Sequence, residues 1–295
     1  MNLVLNSLFC PAMIRQLYRF LHPRFQNLFL EYRVHLRPRY GHGSSPHPQL
    51  FKIIDANRDS YCTILREALK HTESLHQIRD LKFTTDATLP AWNNDYLPGL
   101  DIIGIYTMIS YLRPSRFVEV GSGNSTKIAF KAKRELGLSM EITSIDPEPR
   151  VEIDHLSDVV IRERFEDIDH DTVLALAEND VLFIDNSHRI LPNSDSMVFF
   201  LEILPKLRPG VVVHLHDIYL PYDYPQFMCD RFYSEQYGLA IHLLANPDRA
   251  IVLLPNYFVS EDKELSGIIA PIWDHDNLIG VERHGGSFWI QVNEP

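Results

Sequence analysis

Eleven residues, Arg116-Phe-Val-Glu-Val-Gly-Ser-Gly-Asn-Ser-Thr126, constrain the fold of this chain more than any others. A short apolar run holds a single acidic residue, Glu119. Two glycines one residue apart follow, and Ser125 and Thr126 then open an apolar-periodic stretch. The pattern predicts a buried strand, a glycine turn and a helix start in direct succession. The unpaired N–H groups at such a helix start suit a nucleotide-like ligand.

Downstream, strand and helix patterns alternate. Helix Ser125–Leu136 leads to strand Glu141–Ile145, which stops at Asp146-Pro147. Val159–Arg162 reads as a third strand, Asp171–Glu178 as a helix, and Val181–Ile184 as a fourth strand ending at Asp185. Ser196–Leu207 is helical, Val211–Leu215 is a fifth strand ending in His216-Asp217, and Met228–Leu244 returns to helix. Ala250–Leu254 and Ser287–Val292 close the chain as strands, the last expected at a sheet edge. This alternation predicts an α/β fold, a doubly wound Rossmann-like sheet with helices on both faces. Ahead of it, Leu100–Leu112 lies between Pro98-Gly99 and Pro114 and is the helix that delivers the chain into the first strand. Residues 1–90 are expected to form a helical N-terminal extension and residues 91–295 the ligand-binding domain.

Charge narrows the function. The formal net charge of −11 argues against general nucleic-acid binding, which needs a basic surface to replace phosphate counterions. The balance is uneven, because residues 1–40 hold six arginines against Glu31 alone. Apolar residues between Ile14 and Phe29 recur at spacings of three and four, so one or two amphipathic helices are expected there, divided near Pro23. Such helices are expected to be buried by protein, on the main domain or in a homo-oligomer, in preference to lying on a membrane surface. Cys10, Cys62 and Cys229 are too widely and irregularly spaced for a zinc or redox motif and read as reduced thiols of a cytoplasmic protein.

Open parallel sheets bind ligands outside the carboxyl ends of their strands. Those ends are unusually polar here: Glu119-Val-Gly121, Asp146, Asp185-Asn-Ser-His188 and His216-Asp217. A dinucleotide site would carry a third glycine where this chain has Thr126, which disfavours a nicotinamide oxidoreductase. S-adenosylmethionine asks for other things: close backbone approach at Gly121 and Gly123, a hydroxyl and N–H groups for its carboxylate at Ser125, a carboxylate for the ribose at Asp146, and an acceptor for its ammonium at Glu119. Ser122, Asp185 and Ser187 complete the expected cofactor-facing set.

With these motifs the sequence resembles the class I S-adenosylmethionine-dependent methyltransferases, in particular a branch with Glu-Val-Gly-Ser-Gly, Phe-Ile-Asp-x-Ser-His and His-x-His-Asp-Ile motifs. They stand here as Glu119–Gly123, Phe183–His188 and His214–Ile218. The resemblance implies a seven-stranded sheet with a terminal antiparallel hairpin, Asp146 at the ribose, and an acceptor pocket roofed by the loop after the fifth strand. In the metal-dependent catechol-type members, carboxylates at the ends of the fourth and fifth strands hold magnesium and a lysine three residues after the first is the base. This chain matches Asp185, puts His188 where that lysine stands, and offers His216-Asp217 in place of an Asp-Asn pair.

The expected activity is therefore methylation of an oxygen on a small molecule, sugar-containing or another secondary metabolite. His188 would be the general base, oriented by Asp185 or His216. Two alternatives stay open: a divalent ion, magnesium or manganese, on Asp185, His216 and Asp217, or a cofactor-binding partner subunit without turnover of its own. Tyr219, Tyr222 and Tyr224 are candidates to stack on the acceptor. Asn93, Asn94 and Tyr96 are placed to overhang the ligand, Arg150 and Arg189 are candidates to meet an acidic substrate group or merely to pair with Asp146 and Asp185, and His214 reads as a packed core residue.

Overall fold

The computed structural model describes residues 17–23, 25–149 and 153–294. Arg150 and the start of the amphipathic segment lie outside them. Contacts divide the chain into two compact units, Met1–Leu36 and Arg37–Pro295. In the first, residues 17–21 are helical and the described residues from 25 to 36 are irregular, so among the described residues one of the one or two expected amphipathic helices is present. No helix of the described residues is long and apolar enough to cross a membrane.

The second unit opens with α1 (Pro48–Asp55) and α2 (Arg58–Leu69). Ile54, Tyr61, Ile64 and Leu65 are buried, Tyr61 meets Phe258 edge-on, and Arg58 forms ion pairs with Asp262 and Glu264. This packing explains why no break in contacts occurs at the expected boundary near residue 90. The helices have one apolar face and bury it on the C-terminal half of the sheet domain.

α3 (Gly99–Leu112) is apolar on almost every side and buried from Gly99 to Ile109. It feeds β1 (Arg116–Val120), which is followed by α4 (Asn124–Glu135), β2 (Glu141–Ile145), β3 (Val159–Ile161), β4 (Val181–Ile184) and α5 (Asp195–Val198). The helical path from α5 continues through a π-turn at Phe199–Ile203 into β5 (Val212–Leu215). α6 (Glu235–Ala245), β6 (Ala250–Pro255) and β7 (Phe288–Val292) complete the domain.

The seven strands lie in the order β3-β2-β1-β4-β5-β7-β6. All pairs are parallel except β5/β7 and β7/β6. β1, β4 and β5 are buried on both faces and read as apolar runs. The expected seven-stranded Rossmann-like sheet with its antiparallel end is present. One placement differs: β7 is paired on both sides, so it is an inner strand and not an edge. Strand order reverses between β1 and β4, and the crevice that opens there faces the glycine turn.

A second difference matters for the site. The helix expected over Met228–Leu244 is broken: Gln226–Cys229 is one turn, Phe232 adopts a left-handed φ of 60°, and α6 begins only at Glu235. Continuous apolar periodicity concealed the break, and the break sets three side chains, Arg231, Tyr233 and Glu235, around the strand ends.

Candidate active site

The glycine turn is built around one close approach. Gly121 has φ 82°, and a Cβ on it would lie 1.8 Å from the carbonyl oxygen of Asp185. Both facts demand glycine. The next N–H, that of Ser122, donates to Asp146 Oδ2 (2.9 Å), while Asp146 Oδ1 accepts from Glu148 N (2.9 Å). The end of β2 is thereby tied to the turn after β1. A Cβ on Gly123 would meet nothing within 4 Å, so the backbone there faces open space.

Glu119 acts differently from expectation. It is fully buried, and its two carboxyl oxygens accept hydroxyl hydrogen bonds from Ser125 and Thr126. Thr126 Oγ1 also accepts from Gly123 N (3.0 Å). Threonine at this position thus staples the turn to the strand, work that a third glycine could not do. Burial, then the charges of Asp185 and Asp146, push the Glu119 carboxyl up to about 7. Glu119 supports the cradle from beneath and does not line it.

The cradle opens into a cavity of about 330 Å³ lined by Gly121, Ser122, Gly123, Ser125, Asp146 and Asp185, with Phe165 and Tyr96 opposite. The turn, the acidic end of β2 and the open backbone at Gly123 fit S-adenosylmethionine. A second cavity of about 940 Å³ adjoins it. Asp185, Asn186, His188, Tyr96 and Leu97 line both. Asn93 and Asn94 line the larger one, Asn94 Oδ1 accepting from Tyr96 N (3.1 Å), Leu97 N (2.8 Å) and Asn124 Nδ2 (3.2 Å). Ser187, expected at the cofactor, lines only the larger cavity, and its N–H and hydroxyl are both held by Asp195. Of the three candidate tyrosines only Tyr219 lines the larger cavity. Tyr224 is fully buried, accepting from Gln236 N through its hydroxyl, and Tyr222 packs against Gly41 and Tyr257.

At the junction stands His188, with a left-handed φ of 59° that turns its ring back over the strand ends. Its Nδ1 meets Glu235 Oε2 at 3.2 Å, and its Nε2 lies 3.4 Å from Asp185 Oδ1 and 3.5 Å from Asp217 Oδ2. Burial opposes protonation of this ring, but the hydrogen bond that it donates to Glu235 and the charges of Asp217 and Asp185 outweigh it and hold its pKa above the usual histidine value. His216 repeats the pattern: Nδ1 lies 3.5 Å from Asp185 Oδ1 and 3.7 Å from Asp217 Oδ1, and Nε2 lies 3.2 Å from Asp101 Oδ2. Its pKa is held well above the usual value against the effect of burial by Asp185, Asp217 and Asp101. Asp185 is driven the other way, below the usual carboxylate range, since His216 and His188 overcome its burial.

Asp101 and Glu235 were not legible as site residues. Asp101, on the first turn of α3, is fully buried and accepts from Gly286 N (2.8 Å), Ser287 N (2.9 Å) and Asn256 Nδ2 (2.7 Å) as well as facing His216. The only local signal was a lone acid in an apolar helix. Glu235, fully buried at the start of α6, also faces Ser196 Oγ (3.3 Å). The two complete a relay of alternating charge, Glu235–His188–Asp185/Asp217–His216–Asp101. His214, two residues before His216, is excluded from it: its ring stacks on Phe183 with centroids 3.7 Å apart, shares a hydrogen bond with Ser287 Oγ (2.8 Å), and burial drives its pKa well below the usual value.

The proposed metal set of Asp185, His216 and Asp217 does not fit a divalent ion. Both carboxylates are already turned to the two histidines, Asp185 to His188 and His216 and Asp217 to the same pair. Among the described residues no group of three His, Cys, Asp or Glu side chains could hold a metal.

Comparison with known proteins agrees with this geometry. Residues 118–218, which span the glycine turn and the ends of β2, β4 and β5, match a family model described as a methyltransferase domain. No curated protein sequence matches the chain. Similar solved structures include the S-adenosylhomocysteine-bound methyltransferase PaMTH1 of Podospora anserina (16% identity, 77% of this chain and 88% of that one, TM-score 0.40). A Klebsiella pneumoniae protein described as a candidate O-methyltransferase follows (10% identity, 84% and 99%, TM-score 0.37). Both are too distant to bear on the role of any residue. The turn, the strand order and the match over residues 118–218 agree on a methyltransferase domain in this part of the chain.

Proposed function

We propose that this methyltransferase acts on a hydroxyl oxygen of a small molecule held in the larger cavity, with His188 as general base. One observation carries the reading: the two cavities meet at Asp185, Asn186 and His188, so an acceptor seated in one confronts a cofactor seated in the other across the His188 ring. S-adenosylmethionine supplies the electrophilic methyl group. The chain's task is then to align an oxygen with that methyl and to remove its proton. Asp185 and Asp217 flank Nε2 and orient the ring, while Glu235 secures Nδ1 from behind.

The raised pKa of His188 has a kinetic consequence. A base must first be free of its own proton, so turnover should climb with pH through a value above 6.5, the ordinary value for histidine. His188→Gln should lower turnover by about 10²–10⁴-fold, flatten that limb of the profile and leave S-adenosylhomocysteine affinity unchanged. Methyl transfer from labelled S-adenosylmethionine into a panel of hydroxylated compounds, with calorimetry of cofactor binding, measures all three. Unchanged turnover in the variant would remove His188 from the role.

A further inference from the structure

The broken helix between Cys229 and Glu235 leaves a feature that methyl transfer does not use. Arg189 and Arg231 both line the larger cavity, and both guanidinium groups lie over the ring of Tyr233, at 5.2 and 4.6 Å from its centroid. That ring in turn stacks on His188, with centroids 4.7 Å apart and an interplanar angle of 24°. Arg189 Nε donates to Arg231 O (2.8 Å) and Nη1 to Ser187 O (3.0 Å), which fixes one arginine beside the other.

Some arginines of this acidic chain pair with carboxylates: Arg58 meets Asp55, Asp262 and Glu264, Arg116 meets Asp180 and Arg162 meets Asp154. Here Arg189 and Arg231 do not. Asp185 and Asp217 of the same cavity are committed to His188 and His216. Arg189 is expected from the sequence to meet an acidic group, and its neighbour Asp185 is not that group. Two like charges held side by side repel, and burial followed by the charge of Arg231 lowers the pKa of Arg189 against the opposing effects of Tyr233 and Asp195. An oxyanion relieves both costs, and a guanidinium fork matches its geometry.

We propose that Arg189 and Arg231 are the anion-binding end of the acceptor pocket and that the acceptor is an acid, a hydroxylated small molecule whose carboxylate or phosphate sits within one ring-width of the hydroxyl presented to His188. The proposal rests on the reading that the larger cavity is the acceptor site. Tyr233 then links the two ends, its ring carrying the arginines and packing on the base.

The test is calorimetry on the full chain saturated with S-adenosylhomocysteine, titrated with benzoate, inorganic phosphate and benzamide. The wild type should bind at least one anion, with benzamide at least tenfold weaker. Phosphate ahead of benzoate points to a phosphorylated acceptor, and the reverse to a carboxylic acid. Arg231→Gln should weaken the bound anion by tenfold or more, Arg231→Lys should restore only part of it because the charge returns without the fork, and cofactor affinity should be equal in all three proteins. No heat from either anion, benzamide binding as well as benzoate, or an Arg231→Gln protein indistinguishable from wild type would each overturn the proposal. Should S-adenosylhomocysteine itself fail to bind, the cofactor assignment falls separately, and the same titration of the protein alone still reads the arginine pair.

Discussion

The two halves of this site are built in opposite ways. On the cofactor side, β1, the turn and the first residues of α4 supply nearly everything within eleven residues, and the internal bonds run from hydroxyls and N–H groups to carboxyls. On the acceptor side, Asp101, Asp185, His188, His216, Asp217 and Glu235 arrive from two helices and two strand ends, and the bonds between them join opposite charges. A local cradle can be specified by short-range pattern. A relay of buried charges exists only once the fold has brought its members together, and each member depends on its partner.

The halves touch at Gly121, and substitution there should have the largest effect. Gly121→Ala puts a Cβ 1.8 Å from the backbone of Asp185 in a left-handed conformation, and neither atom belongs to a flexible side chain. A loss of about 4 kcal/mol or more is expected in urea denaturation, with loss of S-adenosylhomocysteine binding. A well-folded alanine variant would show that the two halves are less tightly joined than this geometry requires.

The same contrast explains what was legible in the sequence. Glu119, Gly121, Ser125 and Asp146 could be located because strand, turn and helix follow one another, although the partner of Glu119 could not be read. Its spacing to Ser125 and Thr126 fits a capping role as well as it fits a cofactor contact, and only burial decides. Asp185, His188, His216 and Asp217 were legible as polar strand ends but not as a charge relay. Asp101 and Glu235 were invisible because nothing local distinguishes an acid on a buried helix turn from one at a solvated cap. Arg231 and Tyr233 were hidden by apolar spacing that ran unbroken across a turn which only the left-handed Phe232 interrupts.

Two isosteric amide substitutions sharpen the comparison, and the larger effect belongs to the relay. Asp101→Asn keeps shape but removes the charge that faces His216, while Gly286 and Ser287 still offer their N–H groups to whatever stands there. One buried partner of a charged pair is lost, and about 3–5 kcal/mol should go with it. In the wild type, burial works to raise the pKa of Asp101, but the hydrogen bond and charge of His216 outweigh it and leave the carboxyl lowered. Its stabilisation is therefore present above the ordinary aspartate value near 3.8 and lost as pH falls through the depressed one, and the variant should lack this acid limb. Urea denaturation as a function of pH measures both, and a loss under about 1 kcal/mol would mean that the relay is held by packing and not by charge.

Glu119→Gln makes the same chemical change in the cradle and should cost least. The wild-type carboxyl is raised from 4.5 to about 7, so its contribution to stability is present below pH 4.5 and lost as pH rises through about 7. An amide does not titrate. It keeps an acceptor for one hydroxyl and offers N–H groups to the other, whose oxygen has a lone pair to accept with. At pH 5 the variant should lie within about 1 kcal/mol of wild type. As pH rises to 8 the difference should move in the variant's favour by up to about 3 kcal/mol, because wild type alone must ionise a buried group between Asp185 and Asp146. S-adenosylhomocysteine affinity should change little, since Glu119 lies beneath the cradle. A strong loss of cofactor affinity would instead place the carboxylate in contact with the ligand and make the two halves alike in their reliance on charge.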